Sequence, residues 1–401
     1  MAQSRREFVR TIGLGSAGLS TALIVGGNSR EALALTSPEA AAALEAAAGD
    51  AANIRLSSNE NNRGPGQKTR EALHNAIGTG IGRGYPPDHT MDLAETIAAV
   101  YKVDTKSVII GTGSGPILEG AVAAFCAADK PLVTAAPTYA TCENIAKRMK
   151  YPVKAINVDK SSMHLDLDAM ADAARGAGLV YVCNPNNPTG LALSGATIEQ
   201  FIRKVKAASP NTAILVDEAY IDYVHDPAVK TVAPVAMEIP GVFIARSYSK
   251  AHGMAGLRLG YAIGQEATVQ AIPKVWQIGS LNTLTAAAGI ASLNDKAHIA
   301  EEVAENSRVR EFTIKAFRDM GYQPLDSQTN CIFVDLKRSA KEFRDACAAL
   351  KVQVGRDFPP YEKSHSRISL GTMDEMRQAV DVFKRVLNVK STGTSAGNNQ
   401  Q

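Results

Sequence analysis

The 401-residue chain is short of several things that would fix its chemistry at once. Its seven histidines show no metal-ligand spacing and its five cysteines contain no C-x-x-C, so neither a metal framework nor a dithiol motif is written in the sequence. The cysteine count is odd, and Cys126, Cys183 and Cys331 lie in apolar runs. They read as small buried hydrophobes rather than as a disulfide framework. Excess charge is also missing. The formal net charge is +3, and the first 34 residues hold four arginines against two glutamates, which leaves the remainder close to neutral. A nucleic-acid surface needs a clustered basic excess, so that class is excluded. No apolar run is long enough to span a bilayer as a helix, and no internal repeat of fixed period occurs.

What is present is ordinary soluble composition, 45% hydrophobic and 21% charged, at a length that supports a sizeable core. The N-terminus reads as an address. Ser4-Arg5-Arg6-Glu7-Phe8-Val9-Arg10 precedes a mild apolar stretch from Thr11 to Val25, and Ala32-Leu33-Ala34 offers a small-x-small cleavage site. The arrangement resembles a twin-arginine export signal. It implies a mature chain from Leu35, export to the periplasm if the signal is used and a cytoplasmic location otherwise, with no membrane contact beyond the export machinery. That route carries folded cargo, often with a cofactor already loaded. Two motif matches fail their context. Gly13-x-Gly15-x-x-Gly18 follows no strand, so it is not a dinucleotide fingerprint. Ser247-x-x-Lys250 has no K-T-G partner for a serine acyl-enzyme.

Along the chain, short apolar runs alternate with helical patterns. Val108–Ile110, Leu132-Val133, Leu179–Cys183, Ile214–Val216 and Val242–Ile244 each end in a polar or glycine cluster. Strands buried on both faces and separated by helices predict an α/β fold with a largely parallel sheet. After about residue 290 the pattern changes: a long charged helix over 291–320, then strands at Cys331–Val334 and Arg367–Leu370, suggest a smaller α+β unit. The expected organisation is a signal over 1–34, a linker over 35–52, a first piece of the small domain over 53–80, a large cofactor-binding domain over 81–290, the rest of the small domain over 291–390 and a disordered tail over 391–401.

In open parallel sheets, ligands sit beyond the carboxyl ends of the strands. Ile110 is followed by Gly111-Thr-Gly113-Ser114-Gly115-Pro116 and a helical run. This is either a phosphate cradle on a helix N-terminus or an ordinary glycine-rich turn. Tyr139, after Val133, either stacks on a flat ring or simply packs. Cys183 is followed by Asn184-Pro-Asn186-Asn187-Pro-Thr-Gly190, and Val216 by Asp217-Glu-Ala-Tyr220. Ile244 is followed by Arg246-Ser247-Tyr-Ser249-Lys250, with Arg258 a little further on among glycines. Hydroxyls and an arginine suit a phosphate, and the lysine is a candidate amine nucleophile. Pyridoxal 5'-phosphate would satisfy all of these groups. Asp217 would keep the ring nitrogen protonated, Asn187 and Tyr220 would hold the phenolic oxygen, and Lys250 would condense with the aldehyde and then move the proton at the substrate Cα. Asn187 is expected to face the cofactor while Asn186 and the prolines shape the turn.

These motifs, in this order and spacing, resemble the fold type I pyridoxal-phosphate aminotransferases, and most closely the histidinol-phosphate aminotransferase-like branch. The branch's further elements are present as Asn59-Glu60-Asn61 with Gly64-Pro65, Tyr85-Pro86, Arg356-Asp357-Phe358 and Arg367-Ile-Ser-Leu-Gly-Thr372. The resemblance runs from about residue 53 to 388. It implies Lys250 as the Schiff-base lysine, Asp217 on the ring nitrogen, Asn187 and Tyr220 on the phenolic oxygen and Tyr139 on the ring face. Gly113, Ser114, Ser247, Ser249 and Arg258 would hold the phosphate. Tyr85 would reach the neighbouring subunit's cofactor, so a homodimer is implied. Arg367 would bind a substrate anion, Arg356 would assist at the distal end, and Asn59 belongs to the substrate side.

Two departures stand out. Many members carry Pro-Tyr where this chain has Asn62-Arg63, and an acidic pair where it has Gly115-Pro116. Arg63 either meets an anionic substrate or points to solvent. The expected activity is transfer of an amino group between an amino acid or phosphorylated amine and a 2-oxo acid. The alternatives are decarboxylation of a phosphorylated amino acid on the same scaffold and, more distantly, non-catalytic binding of the cofactor.

Overall fold

Leu179–Cys183 is buried along its whole length, and its side chains split by parity between two cores. Val180 and Val182 join one hydrophobic cluster with Ile214, Val216 and Ile244; Leu179, Tyr181 and Cys183 join another with Leu215 and Phe243. A strand alternates faces at every residue, so an unbroken apolar run means that both faces of the sheet are covered. A computed structural model describes residues 53–78 and 88–388. The arginine-pair segment, the linker, the Tyr85-Pro86 turn and the terminal tail lie outside the described residues.

In chain order the strands are β1 (Ile54–Leu56), β2 (Val108–Gly111), β3 (Leu132–Ala136), β4 (Val153–Asn157), β5 (Leu179–Cys183), β6 (Ala213–Asp217), β7 (Val242–Ser247), β8 (Gly260–Gly264), β9 (Cys331–Asp335), β10 (Val352–Val354) and β11 (His365–Ser369). Seven form one sheet in the order β2-β8-β7-β6-β5-β3-β4. Every pairing in it is parallel except those of β8, which runs antiparallel to both β7 and β2. The parallel strands deliver their carboxyl ends, and the motifs that follow them, to one edge of the sheet. The helices on its faces have amphipathic cause. Ser194 caps helix Gly195–Ala208 by accepting the Thr197 N–H, and Ile198, Phe201, Ile202 and Val205 bury one stripe.

The remaining strands pair as β1 with β10, parallel, and β11 with β9, antiparallel. Around them a third cluster gathers Leu56 from the N-terminal side, Phe317 and Phe343 from helices, and Ile368 and Phe383 from the C-terminal side. Helix Met373–Asn388 contributes Met376, Ala379, Val380, Phe383 and Leu387, again one stripe.

The single long helix expected over 291–320 is two helices, Thr283–Asn294 and Lys296–Asp319. Asp295 leaves helical geometry at φ −93° and ψ 63°, and its carboxylate meets Lys68 at 3.3 Å. Asn and Asp compete with the helix backbone through their own short polar side chains, so Asn294-Asp295 is where the chain turns. Strand β8 was hidden for a different reason. Its glycines look like loop, yet a Cβ at Gly260 would collide with the Ser114 backbone, so the residue is small to let two segments touch.

Candidate active site

A cavity of about 1080 Å³ opens at the carboxyl ends of the parallel strands, and Lys250, Asp217, Tyr220, Asn187, Tyr139 and Arg367 all line it. Ser114, Ser247, Ser249, Arg258 and Arg356 line it as well. Segments about 250 residues apart in the chain, from Ser114 to Arg367, thus meet at one place.

Asp217 ends β6 and is 2% exposed. Its Oδ2 accepts the Tyr181 hydroxyl at 2.8 Å and its Oδ1 accepts the Ala219 N–H at 3.1 Å. Burial pushes its carboxyl up to about 6, against these two donated bonds and the nearby charge of Lys250. Lys250 follows β7. Its Nζ donates to the carbonyl oxygen of Asn59 at 3.0 Å and lies 5.3 Å from the Tyr220 ring centre. Burial, with Arg367 close by, lowers its amine to about 8, so a useful fraction is unprotonated and nucleophilic near neutral pH.

The two adjacent asparagines separate cleanly. The Asn186 side chain is used up in structure, tying its turn to the segment after β3: its Nδ2 donates to Pro137 O and Thr189 Oγ1, both at 3.1 Å, and its Oδ1 accepts from Thr138 at 2.7 Å. Asn187 faces the cavity. Its Oδ1 accepts Arg367 Nη1 at 2.8 Å, which orients its Nδ2 towards Tyr220 Oη at 3.4 Å. Tyr220 Oη also accepts Asn59 Nδ2 at 3.0 Å. A phenol that accepts two amide donors still has its own proton to give, and one Asn187 amide proton remains as well. Both are suited to an oxygen on a bound ring.

The anion cradle forms where β2 meets helix Gly115–Phe125. Gly113 has φ +88°, and a Cβ there would strike the Arg258 guanidinium. Ser114 precedes the helix without making a side-chain cap bond, so its hydroxyl and the first-turn N–H groups are open to an anion. Pro116 sits in that first turn, where a missing N–H costs nothing, which accounts for Gly115-Pro116. Ser247 Oγ accepts the Ser249 N–H at 3.1 Å and is buried. Arg258 adopts left-handed backbone geometry at φ 58° and donates Nη1 to Ala255 O at 2.9 Å.

On the opposite wall Arg367, from β11, is buried. Besides Asn187 it donates to the Ser57 carbonyl, and its Nε has no hydrogen-bond partner. Its guanidinium lies 4.8 Å from the Phe358 ring centre, and that of Arg356 lies 5.4 Å from the same ring.

Asn59 is more central than a substrate-side residue. It is fully buried at φ 53°, its N–H donates to Ser369 Oγ at 2.8 Å, and its Oδ1 accepts that hydroxyl at 2.6 Å. Asn330 Nδ2 donates to its carbonyl at 3.1 Å. Asn59 therefore ties Lys250, Tyr220 and β11 together. Arg63 is not among the residues brought to the cavity. Its guanidinium turns to helix Lys296–Asp319 and pairs with Glu301 at 2.6 Å and Glu302 at 3.3 Å. Two carboxylates satisfy it there, so it is neither a substrate contact at this cavity nor a free surface charge. Tyr85 falls outside the described residues. Sequence reasoning missed Tyr181, Ser369 and Asn330. Tyr181 sits inside a run read only as apolar, and the other two are recognisable only once β9 and β11 are beside Asn59. All five cysteines are free and buried.

The donor set fits pyridoxal phosphate. There is an anion cradle a Cβ would fill, a buried carboxylate with cavity-side lone pairs, two donors for a phenolic oxygen, and an amine lowered towards neutrality. A mostly parallel sheet with these groups at its strand ends defines a fold type I pyridoxal-phosphate-dependent transferase. The family model described as aminotransferase class I and II matches residues 52–383. The histidinol-phosphate aminotransferase of Moorella thermoacetica is 31% identical over 339 residues, covering 83% of this chain and 85% of that one. That of Bacillus subtilis strain 168 is 30% identical over 335 residues, covering 83% and 91%. The solved histidinol-phosphate aminotransferase of Sinorhizobium meliloti, in complex with pyridoxal 5'-phosphate, superposes with a TM-score of 0.76 at 26% identity, covering 88% of this chain and 95% of that one. The chain belongs to the class I and II aminotransferase family. It is a pyridoxal-phosphate-dependent transaminase that exchanges an amino group between amino and keto acids.

Proposed function

We propose that the amino donor is an amine carrying an anionic group, a carboxylate or a phosphate, and that Arg367 and Arg356 hold that group while the amine meets the cofactor at Lys250. The observation that carries this reading is that both guanidiniums reach the cavity that also holds Lys250 and Asp217. A guanidinium matches a planar carboxylate or a phosphate with two parallel N–H bonds. Bound pyridoxal phosphate supplies an aldehyde that condenses with amines and a ring that accepts electrons from the substrate Cα. The chain's own groups do the rest. Asp217 holds a proton on the ring nitrogen. Tyr220 and Asn187 donate to the phenolic oxygen. Lys250 Nζ would take the substrate Cα proton and deliver it to the carbon of the cofactor's former aldehyde. Gly113, Ser114, Ser247, Ser249 and Arg258 hold the phosphate, and Tyr139 covers the ring.

The relatives' names make histidinol phosphate the first phosphorylated donor to test, beside dicarboxylic and aromatic amino acids. The experiment is a screen of donors by cofactor absorbance, with pyridoxamine phosphate quantified and carbon dioxide monitored. Anionic amines should convert the cofactor and their neutral analogues should not. Equal conversion of both sets would refute the anionic-donor reading, and carbon dioxide release without pyridoxamine phosphate would favour a decarboxylase. We further propose a homodimer in which Tyr85 reaches the partner's cofactor, checked by sedimentation and by Tyr85→Phe. Export through the arginine pair is also proposed. Fractionation of cells carrying Arg5→Lys with Arg6→Lys tests it, and unchanged distribution would refute it.

A further inference from the structure

Tyr181 is wholly buried on β5, in a cluster otherwise built of aliphatic, cysteine and phenylalanine side chains. A phenol hydroxyl placed in such surroundings must find a partner or lose its hydration uncompensated. The partner it finds is Asp217 Oδ2, at 2.8 Å, on the adjacent strand. The register explains the reach: Cys183 pairs with Asp217 and Tyr181 with Leu215, so the tyrosine comes at the carboxylate diagonally from the strand below. Tyr181 does not line the cavity, whereas Asp217 does. The carboxylate is thus held from behind by Tyr181 and from the side by the Ala219 N–H, and its remaining lone pairs point to the cavity.

We infer that Tyr181 is a positioning residue of the reaction: its hydroxyl holds Asp217 in the ionised form and aims the carboxylate's free lone pairs at the cofactor ring nitrogen. The inference rests on Asp217 being the ring-nitrogen partner. Burial drives Asp217 towards its neutral form, and a neutral acid cannot keep a pyridine protonated. A hydrogen bond donated to the charged form opposes that drive. The other ionisable groups facing Asp217 are Cys183 on β5, Cys142 from helix Thr141–Arg148 and Lys250. Burial keeps both thiols well above neutrality, so they remain uncharged beside it.

The test uses Tyr181→Phe, which keeps the ring and removes the hydroxyl. In cofactor-free protein, the Asp217 carboxyl is titrated by carbon-13 NMR. The variant should titrate about one to two pH units higher than the wild type, the cost of one hydrogen bond to a charged acceptor. An unchanged midpoint overturns the proposal. Should the variant not fold, wild-type protein suffices: the Tyr181 Cζ resonance should move through the Asp217 midpoint, and independence of the two signals overturns the proposal equally. In loaded protein, the nitrogen-15 resonance of the cofactor ring should move towards the unprotonated position in Tyr181→Phe. The first half-reaction should slow about tenfold, with donor affinity within about twofold. Asp217→Asn separates the two layers. If Asp217→Asn shifts the ring nitrogen and Tyr181→Phe does not, only the role of Tyr181 fails; if Asp217→Asn leaves it unmoved, the assignment of Asp217 fails and the role of Tyr181 with it.

Discussion

The two walls of the cavity are built on different principles. One wall is the edge of the seven-stranded sheet: Asp217 ends a strand, and Ser114, Asn187 and Lys250 each follow one within a few residues. Their positions are set locally, by where a buried strand stops. The other wall comes from β1, β10, β11 and the loops beside them, and its decisive bonds span the chain. Asn59 meets Ser369 across 310 positions and Asn187 meets Arg367 across 180. Chemistry held by local geometry tolerates change in the scaffold, whereas chemistry held by long-range contacts can be retuned by a substitution far away. The sheet wall should therefore set whether the reaction runs, and the other wall on what.

The largest effect should come from the sheet wall. Lys250→Ala removes the amine proposed as both nucleophile and proton carrier, and the first half-reaction should fall by about 10⁴-fold. The protein should stay folded, because Lys250 Nζ donates only to the Asn59 and Ser58 carbonyls, and Asn330 also donates to the Asn59 carbonyl. Stopped-flow absorbance reads the rate, borohydride trapping on the lysine reads the lost bond, and a variant that kept its rate would break the division between walls.

On the other wall, two arginines sharpen the comparison. Arg367→Lys should lower kcat/KM for an anionic donor by about 10²-fold with the cofactor still bound, because lysine cannot reproduce the paired N–H geometry and the site is buried. Arg63→Ala should change kcat/KM by no more than about threefold and cost about 1–3 kcal/mol of stability, since it leaves the buried Glu302 without its cationic partner. Steady-state kinetics and denaturant melts separate the pair. A large kinetic loss at Arg63 would return it to the substrate side.

The same contrast decides what could be read before the structure. The sheet wall was legible because each of its residues ends or follows a strand whose burial is written as an apolar run, as with Leu179–Cys183 before Asn187. The assembly of the other wall was not, since nothing local connects Asn59 to Ser369 or to Lys250. Arg63 looked like a candidate ligand because charge beside a motif suggests a ligand, while its real partners sit about 240 residues on. The kink at Asp295 lost out to helix-forming residues on both sides of it. Tyr181 was read only as part of a strand, because a tyrosine in an apolar run shows its ring and hides where its hydroxyl goes.

Within the sheet wall the two asparagines offer a smaller test. Asn186→Ala removes one side-chain bond within the turn and two to the segment after β3, and should cost about 2–3 kcal/mol with modest kinetic change. Asn187→Ala should cost less stability and slow the half-reaction about tenfold, through loss of the proposed donor to the phenolic oxygen and the loosened Arg367. Thermal melts and single-turnover rates on the two variants should give opposite rankings, and matching losses would mean the turn acts as one unit.

The smallest kinetic effect, and the clearest pH signature, belongs to Glu302. It is 4% exposed, accepts the Tyr223 hydroxyl at 3.3 Å and pairs with Arg63. Burial raises its carboxyl from 4.5 to about 7, against the pull of Arg63. A carboxyl whose folded value lies above its unfolded value binds more protons in the native state, so its contribution is full below about 4.5 and is lost as pH rises to about 7. Glu302→Gln should remove that slope, lifting stability at pH 8 relative to pH 4.5 by up to about 3 kcal/mol against the wild type. Asp217, raised from 3.8 to about 6, contributes a slope of the same sign over a lower window and remains in the variant, so flattening should be confined to the upper part of the range. Turnover should stay within about twofold, because Glu302 lies outside the cavity that holds Lys250. Denaturant melts from pH 4.5 to 8 on both proteins measure the difference, and parallel curves would mean that Glu302 is ionised throughout and that Arg63 holds it more tightly than burial opposes.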